Sequence, residues 1–254
     1  MTINPLGGQA LYRQLADLLR REIYSGALSP GAQLPTEREL MDLHNASRNT
    51  VRLALGELSN EGLIVSSRGR GTFVRERRPL LFHATRSESS ERRATSAADA
   101  WVSDVIEQGR TARQDIEINI VEPPPTIAGL LGLDEGTSAA VRRRIRFVDD
   151  EPNSLSSSFF PLEIVRDSEI VSPHDIIRGA NKVLDELGYA QVRYVDRITA
   201  RMPTPDEVDT LRIGAGIPVQ EHIRTGYDAS DRAVRVAVTV LPADRHVIQY
   251  ELVG

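Results

Sequence analysis

Residues 34–74 of this 254-residue chain are LPTERELMDLHNASRNTVRLALGELSNEGLIVSSRGRGTFV. Thr36 stands three residues before Glu39, which is the spacing of a capping box at the start of a helix. This helix is predicted to end near His44. Ser47 is the next candidate N-cap, and apolar residues follow it at helical spacing. The pattern predicts two helices separated by a tight turn.

The flanking sequence extends this pair into a recognisable unit. Apolar residues recur at helical spacing over residues 11–23 and predict a preceding helix. Residues 63–65 and 72–74 predict two short strands, and the glycines between them allow a tight turn. Three helices followed by a glycine-tipped hairpin are the layout of a winged helix-turn-helix. In such units the second helix of the pair enters the major groove of DNA.

The side chains at the start of that second helix are suited to reading bases. Arginine binds guanine in a bidentate manner, asparagine binds adenine, and serine or threonine contacts bases or phosphates. Arginines on a hairpin tip suit the negative potential of the minor groove. An arginine-rich helix alone is most often a solvated surface, so the prediction depends on the joint occurrence of helix cap, polar helix start and Arg-Gly-Arg-Gly hairpin. The candidate DNA contacts are Arg38, Ser47, Arg48, Asn49, Thr50, Arg52, Arg68 and Arg70.

Residues 9–75 resemble the signature of GntR-type transcription regulators, nearly without gaps. The similar motifs are residues 34–40, 47–52, 61–63 and 69–74. The resemblance implies that Gly69 stands at a DNA-contacting position, and it implies the same for each candidate given above except Arg70. Arg70 is a candidate from the sequence pattern alone. It further implies a homodimer that binds a short palindromic operator in double-stranded DNA.

Charge is divided unevenly along the chain. The net charge of −5 taken alone argues against a nucleic-acid-binding protein. However, residues 1–78 hold 11 arginines against 8 acidic residues, a net charge of +3, and residues 79–254 have a net charge of −8. A basic N-terminal part and an acidic remainder are compatible with DNA binding by the first part only.

Several classes of protein are disfavoured by composition. The absence of cysteine excludes disulfides, thiolate catalysis and cysteine-ligated metal centres. The five histidines show no ligand spacing, and there is neither a phosphate-binding glycine loop nor a serine nucleophile elbow. We therefore predict no metal, no cofactor, no catalytic residue and no enzymatic activity. No apolar run approaches the roughly 20 residues that span a bilayer, so a cytoplasmic protein without membrane contact is expected.

The apolar content falls after residue 75, where residues 86–99 read RSESSERRATSAAD. This composition predicts a DNA-binding domain at residues 1–75, a linker and start of the body at 76–98, and an effector-binding and dimerisation domain at 99–254. The predicted fold class is α+β, with an antiparallel sheet in the second domain. Its predicted helices cover residues 97–108, 123–131, 173–187 and 205–211. Its predicted strands cover residues 116–121, 139–148, 154–160, 192–200, 219–227, 233–241 and 246–252.

Two neighbouring strands of the second domain carry a candidate anion site. Arg142, Arg144 and Arg146 share one face of strand 139–148, and Ser154, Ser156 and Ser158 share one face of the next strand. If the strands form a hairpin, guanidinium groups lie beside hydroxyls, which together bind carboxylate or phosphate. The alternative is a solvated face whose arginines pair with local acids such as Asp149. The pattern alone leaves both open.

The second domain is similar to that of the HutC branch of the GntR regulators, whose effector domain is called UTRA and has the chorismate-lyase fold. The similar stretches are residues 144–149, 156–161 and 243–246, and the similarity runs from about residue 79 to the end. It implies that Arg144, Arg146 and Ser158 hold the anionic group of an effector. Arg235 and Ser156 stand where relatives that sense sugar phosphates tend to have acidic residues. Arg235 and Ser156 both belong to the candidate effector site. The absence of acidic residues at these two positions favours an anion other than an aminosugar phosphate.

The sequence thus predicts a ligand-responsive transcription regulator, with repression as the expected mode, modulated by a small anionic effector. Two alternatives remain at this level. The protein could be a constitutive DNA-binding dimer without a ligand, or its second domain could retain enzymatic activity on a small anion. Trp101, on the predicted helix 97–108, is expected to be a packing residue rather than a recognition residue.

Overall fold

The chain folds into two compact units, in a computed structural model that describes residues 8–67, 69–76, 78–86 and 99–252. The N-terminal unit is Met1–Arg78 with Met202–Pro218, and the C-terminal unit is Pro79–Arg201 with Val219–Gly254. Among the described residues, no helix is long and apolar enough to cross a membrane.

Helices and strands alternate irregularly along the chain, as expected for an α+β protein. The helices are α1 (Leu11–Ser25), α2 (Glu37–His44), α3 (Arg48–Asn60), α4 (Ala100–Glu107), α5 (Pro125–Leu131), α6 (Leu162–Val165), α7 (Ala180–Glu186) and α8 (Pro205–Leu211), with a 3₁₀ turn at Glu169–Val171. The strands are β1 (Ile64–Ser67), β2 (Gly71–Val74), β3 (Leu80–His83), β4 (Ala112–Val121), β5 (Ala139–Val148), β6 (Glu151–Pro161), β7 (Arg193–Arg201), β8 (Val219–Tyr227), β9 (Ala233–Pro242) and β10 (His246–Gln249).

The helix pair α2–α3 is fixed by the capping chemistry that the sequence predicts. The Thr36 hydroxyl accepts a hydrogen bond from the Glu39 N–H at 3.3 Å, and the Glu39 carboxylate accepts one from the Thr36 N–H at 2.7 Å. Helix α2 ends at Asn45, whose φ of 48° turns the chain out of the helix. Ser47 then caps α3. Only residues 45–47 separate the two helices, so the predicted tight turn is confirmed.

A shared apolar core orients these helices, because the stripes of α1, α2 and α3 face one another. Each fully buried aliphatic side chain contributes on the order of 1.5–3 kcal/mol relative to an exposed one. The hairpin β1–β2 adds Ile64 and Val74 to this core. The largest contributors from the helices are Leu15, Leu19, Leu40, Val51 and Leu58, all at most 2% exposed.

The C-terminal unit contains a six-stranded antiparallel sheet in the order β4-β5-β6-β9-β8-β7. Strands β5 and β6 form the predicted hairpin, with a two-residue turn at Asp149 and Asp150. Both residues have positive φ, 51° and 62°, as two-residue hairpin turns of this handedness require. Aspartate tolerates that conformation better than most residues. The predicted antiparallel α+β architecture is confirmed.

The two faces of this sheet have different coverings. Helix α5 packs on one face against Val141, Phe159 and Val236. On the other face Trp101 of α4 lies over Arg146, and Phe82 of β3 contacts His222 edge to face at 5.5 Å between ring centroids. We call this second face the arginine face, because it carries Arg142, Arg144 and Arg146.

The predicted helix over 173–187 is wrong for its first seven residues, since α7 begins only at Ala180. The cause is Arg142, whose guanidinium donates hydrogen bonds to the carbonyls of Ile170, Ser172 and His174 at 3.0, 2.6 and 2.9 Å. These hydrogen bonds hold residues 172–174 in an irregular path that follows the 3₁₀ turn at Glu169–Val171. Gly179, with φ of 82°, then starts the helix.

The strands β3 and β10 differ from the sequence pattern in two ways. Residues 80–83, for which no strand is predicted, form β3 and pair in parallel with β10, whose residues lie more than 160 positions later. Strand β10 ends at Gln249, three residues before the predicted end at 252. Parallel pairing over so long a separation leaves no local pattern in the sequence.

Candidate DNA-binding face and effector site

The N-terminus of α3 presents polar side chains to solvent. Arg48, Asn49 and Arg52 are exposed, and the Arg48 side chain is 75% exposed. Its Nε donates to the Glu37 carboxylate at 3.1 Å. An exposed ion pair of this kind contributes only about 0–1 kcal/mol. The Arg48 guanidinium can therefore exchange Glu37 for a base or phosphate at little energetic cost.

Ser47 and Thr50 contribute to the geometry of this helix start. The Ser47 hydroxyl accepts a hydrogen bond from the Thr50 N–H at 3.1 Å, and the two side-chain oxygens lie 2.9 Å apart. Ser47 is exposed and Thr50 is half-buried. Both side chains therefore stabilise the first turn of α3 and lie beside Arg48 and Asn49.

Gln33 supports the hairpin tip of the N-terminal unit, although no sequence motif marks this residue. The Gln33 amide donates to the Arg70 carbonyl at 3.0 Å. The φ of +110° at Gly71 favours glycine, and a Cβ there would lie 2.6 Å from the Gln33 side-chain nitrogen and displace it. The Arg70 guanidinium lies 5.9 Å from the centroid of the Phe73 ring.

The remaining candidates of this face are on α2 and the hairpin. Arg38 is exposed on α2, and Gly69 is exposed at the tip with φ of +76°. Arg68 lies outside the described residues. The exposed candidates Arg38, Arg48, Asn49 and Arg52 are all on the helix-turn-helix, and Gly69 and Arg70 are on the hairpin.

Arg20 joins α1 to α3. Its place on the polar side of α1 does not predict this positioning role. Its guanidinium donates to the Glu61 carboxylate at 2.6 and 2.9 Å and to the Glu57 carboxylate at 3.2 Å. It also pairs with Asp17, one turn earlier on α1. These acceptors, chiefly Glu61, raise the pKa of Arg20 above its usual value. The ion pairs fix the C-terminal half of α3 against α1.

On the arginine face, the structure brings the predicted arginine and hydroxyl rows side by side. The register of β5 and β6 places Arg142 opposite Ser158, Arg144 opposite Ser156, and Arg146 opposite Ser154. Residues directly opposite each other project from the same face of a sheet. All six are buried, with Arg144 7% and Arg146 9% exposed.

The alternative of a solvated arginine row paired with Asp149 does not fit the structure. Asp149 instead accepts hydrogen bonds from the Arg110 side chain at 2.8 Å and from the Thr111 N–H at 2.9 Å. Those contacts lie at the turn end of the hairpin. The arginine row is a buried feature of the C-terminal unit.

Arg144 is a buried cation whose hydrogen-bond partner is a neutral hydroxyl, the Ser158 Oγ at 3.3 Å. Burial, and to a smaller extent the nearby positive charge of Arg146, together lower the pKa of Arg144 to about 9, against a smaller opposing effect from Asp99. The side chain therefore stays protonated at neutral pH, but its charged form is strongly disfavoured by its surroundings.

Arg235, on β9, approaches the same hydroxyl from the other side. One of its terminal nitrogens lies 3.4 Å from the Ser158 oxygen, and the other donates to the Asn181 side-chain oxygen at 2.6 Å. Asn181 is on α7 and also accepts a hydrogen bond from Gln191 at 3.1 Å. Two guanidinium groups from different strands thus converge on Ser158.

Arg146 and Arg142 have different surroundings. The Arg146 guanidinium lies 4.9 Å from the centroid of the Trp101 ring. Trp101 is itself buried with Leu80 and Val105, so it does pack as predicted, but it also orients a candidate site residue. Arg142 binds backbone carbonyls, as described above. The sequence pattern is the same for Arg142, Arg144 and Arg146, so it does not predict that Arg142 binds backbone carbonyls.

Metal binding has no support in the part of the chain that the structure describes. No group of three or more histidine, aspartate or glutamate side chains there is arranged to hold a metal ion. The arginine face instead offers hydrogen-bond donors, namely guanidinium and hydroxyl groups. This donor set binds carboxylates and phosphates.

Comparison with known proteins accounts for both units. Residues 11–74 match the family described as bacterial regulatory proteins, gntR family. Residues 107–247, which are more than half of the chain, match the UTRA domain. The chain belongs to the GntR family and carries a UTRA domain.

Relatives of this GntR-family protein match it almost from end to end. The HTH-type transcriptional repressor NagR of Bacillus subtilis is 29% identical over 251 residues, covering 97% of this chain and 96% of NagR. The HTH-type transcriptional regulator GgaR of Escherichia coli K12 is 27% identical over 245 residues, covering 95% of this chain and 90% of GgaR. The crystal structure of PhnF from Mycobacterium smegmatis has the same fold, with a TM-score of 0.60, 22% identity, and coverage of 96% of this chain and 100% of PhnF.

These matches confirm the predicted GntR and UTRA assignments and the predicted fold class. The GntR-family protein is a DNA-binding transcription regulator with a domain of the type that binds small-molecule effectors. Its family consists of regulators rather than enzymes.

Proposed function

We propose that this protein is a cytoplasmic repressor of the HutC branch that binds a palindromic operator as a homodimer and releases it when a small anion binds its UTRA domain. Its domains are residues 1–75 for DNA binding, 76–98 for the linker and start of the body, and 99–254 for effector binding and dimerisation. The DNA contacts are Arg38, Ser47, Arg48, Asn49, Thr50, Arg52, Arg68, Gly69 and Arg70. The effector contacts are Arg144, Arg146, Ser156, Ser158 and Arg235.

The observation that carries the effector site is the burial of Arg144 against a neutral partner. Removing a charge from water costs several kcal/mol unless an opposite charge or strong hydrogen bonds compensate. Arg146 and Arg235 add positive charge to the same region rather than neutralising it. A bound anion supplies the missing charge, and hydroxyls at Ser156 and Ser158 complete its coordination.

The proposed DNA contacts suit a symmetric dimer. Two recognition helices enter successive major grooves when they lie roughly 34 Å apart along the duplex. Effector binding then acts by favouring a dimer in which this spacing is lost. A coupling free energy of about 1–3 kcal/mol is enough to change operator occupancy. Repression is supported by the name of NagR, the relative described above.

We also infer that the protein binds its effector without converting it. The side chains that contact the Ser158 hydroxyl are the guanidinium groups of Arg144 and Arg235, and Arg235 in turn donates to the amide oxygen of Asn181. Guanidinium groups remain protonated at neutral pH, so they bind an anion but do not act as a general base.

Substitution of Arg144 by glutamine should stabilise the ligand-free protein by about 1–3 kcal/mol, because it removes an uncompensated buried charge. The folded-state pKa of about 9 is below the ordinary value for arginine, so the destabilisation is fully present below pH 9 and fades as the pH rises above it. Urea unfolding at pH 7 measures the difference. Inorganic phosphate should raise the melting temperature of the wild type, by mass action, and not that of Arg144→Gln.

Arg143→Gln is the matched control, since Arg143 is exposed on the opposite face of the same strand and binds Asn119. It should leave both the stability and the response to phosphate close to those of the wild type. If Arg144→Gln is less stable than the wild type and still responds to phosphate, the proposed effector site is wrong.

A further inference from the structure

We propose that the effector carries two separate anionic groups, one held by Arg144, Ser158 and Arg235, and the other by Arg146 and Ser154. This inference rests on the proposed function, because it specifies which class of molecule the UTRA domain binds. A phosphorylated carboxylic acid and a dicarboxylic acid both belong to this class.

The first subsite is defined by convergence on one hydroxyl. Nitrogens of Arg144 and Arg235 lie 3.3 and 3.4 Å from the Ser158 oxygen, which is completely buried. These distances are at the long end of the hydrogen-bond range, so neither contact is a strong one. An anionic oxygen placed between the two guanidinium groups would accept shorter, charge-assisted hydrogen bonds from both.

The second subsite is defined by Ser154, the residue opposite Arg146 on the neighbouring strand. Ser154 is completely buried, and its hydroxyl has no hydrogen-bond partner among the described residues. A buried hydroxyl without a partner costs about 1–3 kcal/mol and calls for a specific explanation. The adjacent Arg146 guanidinium stacks on Trp101, which limits its orientation. A second anionic group beside Arg146 would accept the Ser154 hydrogen.

One anionic group cannot satisfy both subsites. Ser154 and Ser158 are four residues apart on the same strand, about 13 Å at roughly 3.3 Å per residue. A single carboxylate or phosphate reaches only about 3 Å beyond its own oxygens. The register shift of this hairpin lies beyond Arg146, between Arg146 and Phe147, so it does not bring the two serines together.

The charge on this face leads to the same conclusion. The positive charges of Arg142, Arg146 and Arg235 all act on Arg144, and Asp99 is the acid that opposes them there. Two anionic groups offset more of this positive charge than one does.

The test uses ω-phosphonoalkanoates of increasing chain length, each compared with the alkylphosphonate of the same length, which lacks the carboxylate. Binding to the full-length protein is measured by calorimetry. At one chain length the phosphonoalkanoate should bind at least tenfold more tightly than its matched alkylphosphonate. Arg146→Gln and Ser154→Ala should each reduce this gain, Arg146→Gln to less than threefold. Arg143→Gln, on the opposite face of the strand, should keep it.

The outcomes separate this inference from the proposed function. If the alkylphosphonates bind in an Arg144-dependent manner but no chain length gives the added gain, the two-group inference is wrong and the effector site stands. A gain that persists in both Arg146→Gln and Ser154→Ala would also overturn it. If alkylphosphonates bind equally well to Arg144→Gln, the effector site itself is misplaced. Two second-subsite variants are included so that misfolding of one does not prevent a result.

Discussion

Replacement of Arg48 by alanine is expected to lower operator affinity by about 30-fold or more, which corresponds to at least about 2 kcal/mol over the two half-sites. Arg48 is 75% exposed at the first turn of α3, and its ion pair with Glu37 is an exposed one. A bidentate arginine–guanine contact contributes about 1–3 kcal/mol of discrimination, and a homodimer loses it in both half-sites. The operator can be obtained by selection from random duplexes, and affinity measured by gel shift at a fixed salt concentration. Thermal unfolding of the variant should remain close to that of the wild type.

The matched control for Arg48 is Arg21→Ala, which removes the same charge from an exposed position on α1 of the same unit. Its effect on specific binding should be small. Equal losses for the two variants would mean that charge alone, and not base recognition by α3, determines affinity. Full operator affinity in Arg48→Ala would contradict the assignment of α3 as the recognition helix.

The double substitution of Arg144 and Arg146 by alanine is expected to abolish effector-induced release of the operator. Both side chains are buried on the arginine face and supply most of the charge that the proposed site offers an anion. Operator affinity without effector should stay within about twofold of the wild type. The effector for this experiment is the anion that gives the largest thermal stabilisation in a panel of sugar phosphates and dicarboxylates.

Arg143→Ala serves as the control for release, since it removes an arginine from the same strand but from the opposite face. It should respond to the effector as the wild type does. Release that is unchanged in the double variant would show that the effector binds elsewhere. Loss of operator binding before any effector is added would show instead that the two arginines are needed for the DNA-binding conformation.

The parts of this structure that could be predicted from sequence are those set by local chemistry. The capping box of Thr36 and Glu39, the N-cap Ser47 and the hairpin turn at Asp149-Asp150 each depend on residues within a few positions of one another. The alternation of arginine and serine also predicted that a row of arginines would lie beside a row of serines if the two strands formed a hairpin.

The parts that could not be predicted depend on contacts between distant residues. Residues 173–179 carry a helical pattern, but Arg142, on a strand some 30 residues earlier, binds carbonyls just before and within this segment. Gln33 supports the hairpin tip across 37 positions, and Asn181 reaches Arg235 across 54. Such partners have no spacing signature, so a single sequence does not reveal them.

The central claim is that one protein couples operator binding to anion binding at the arginine face. Thermodynamic linkage requires that this coupling be reciprocal. The most direct test is therefore to measure the dissociation constant of the effector for the free protein and for the protein saturated with operator. If the effector weakens operator binding by a given factor, between about 5- and 150-fold for a coupling of 1–3 kcal/mol, the operator should weaken effector binding by the same factor. An effector affinity that is identical with and without operator would contradict the account.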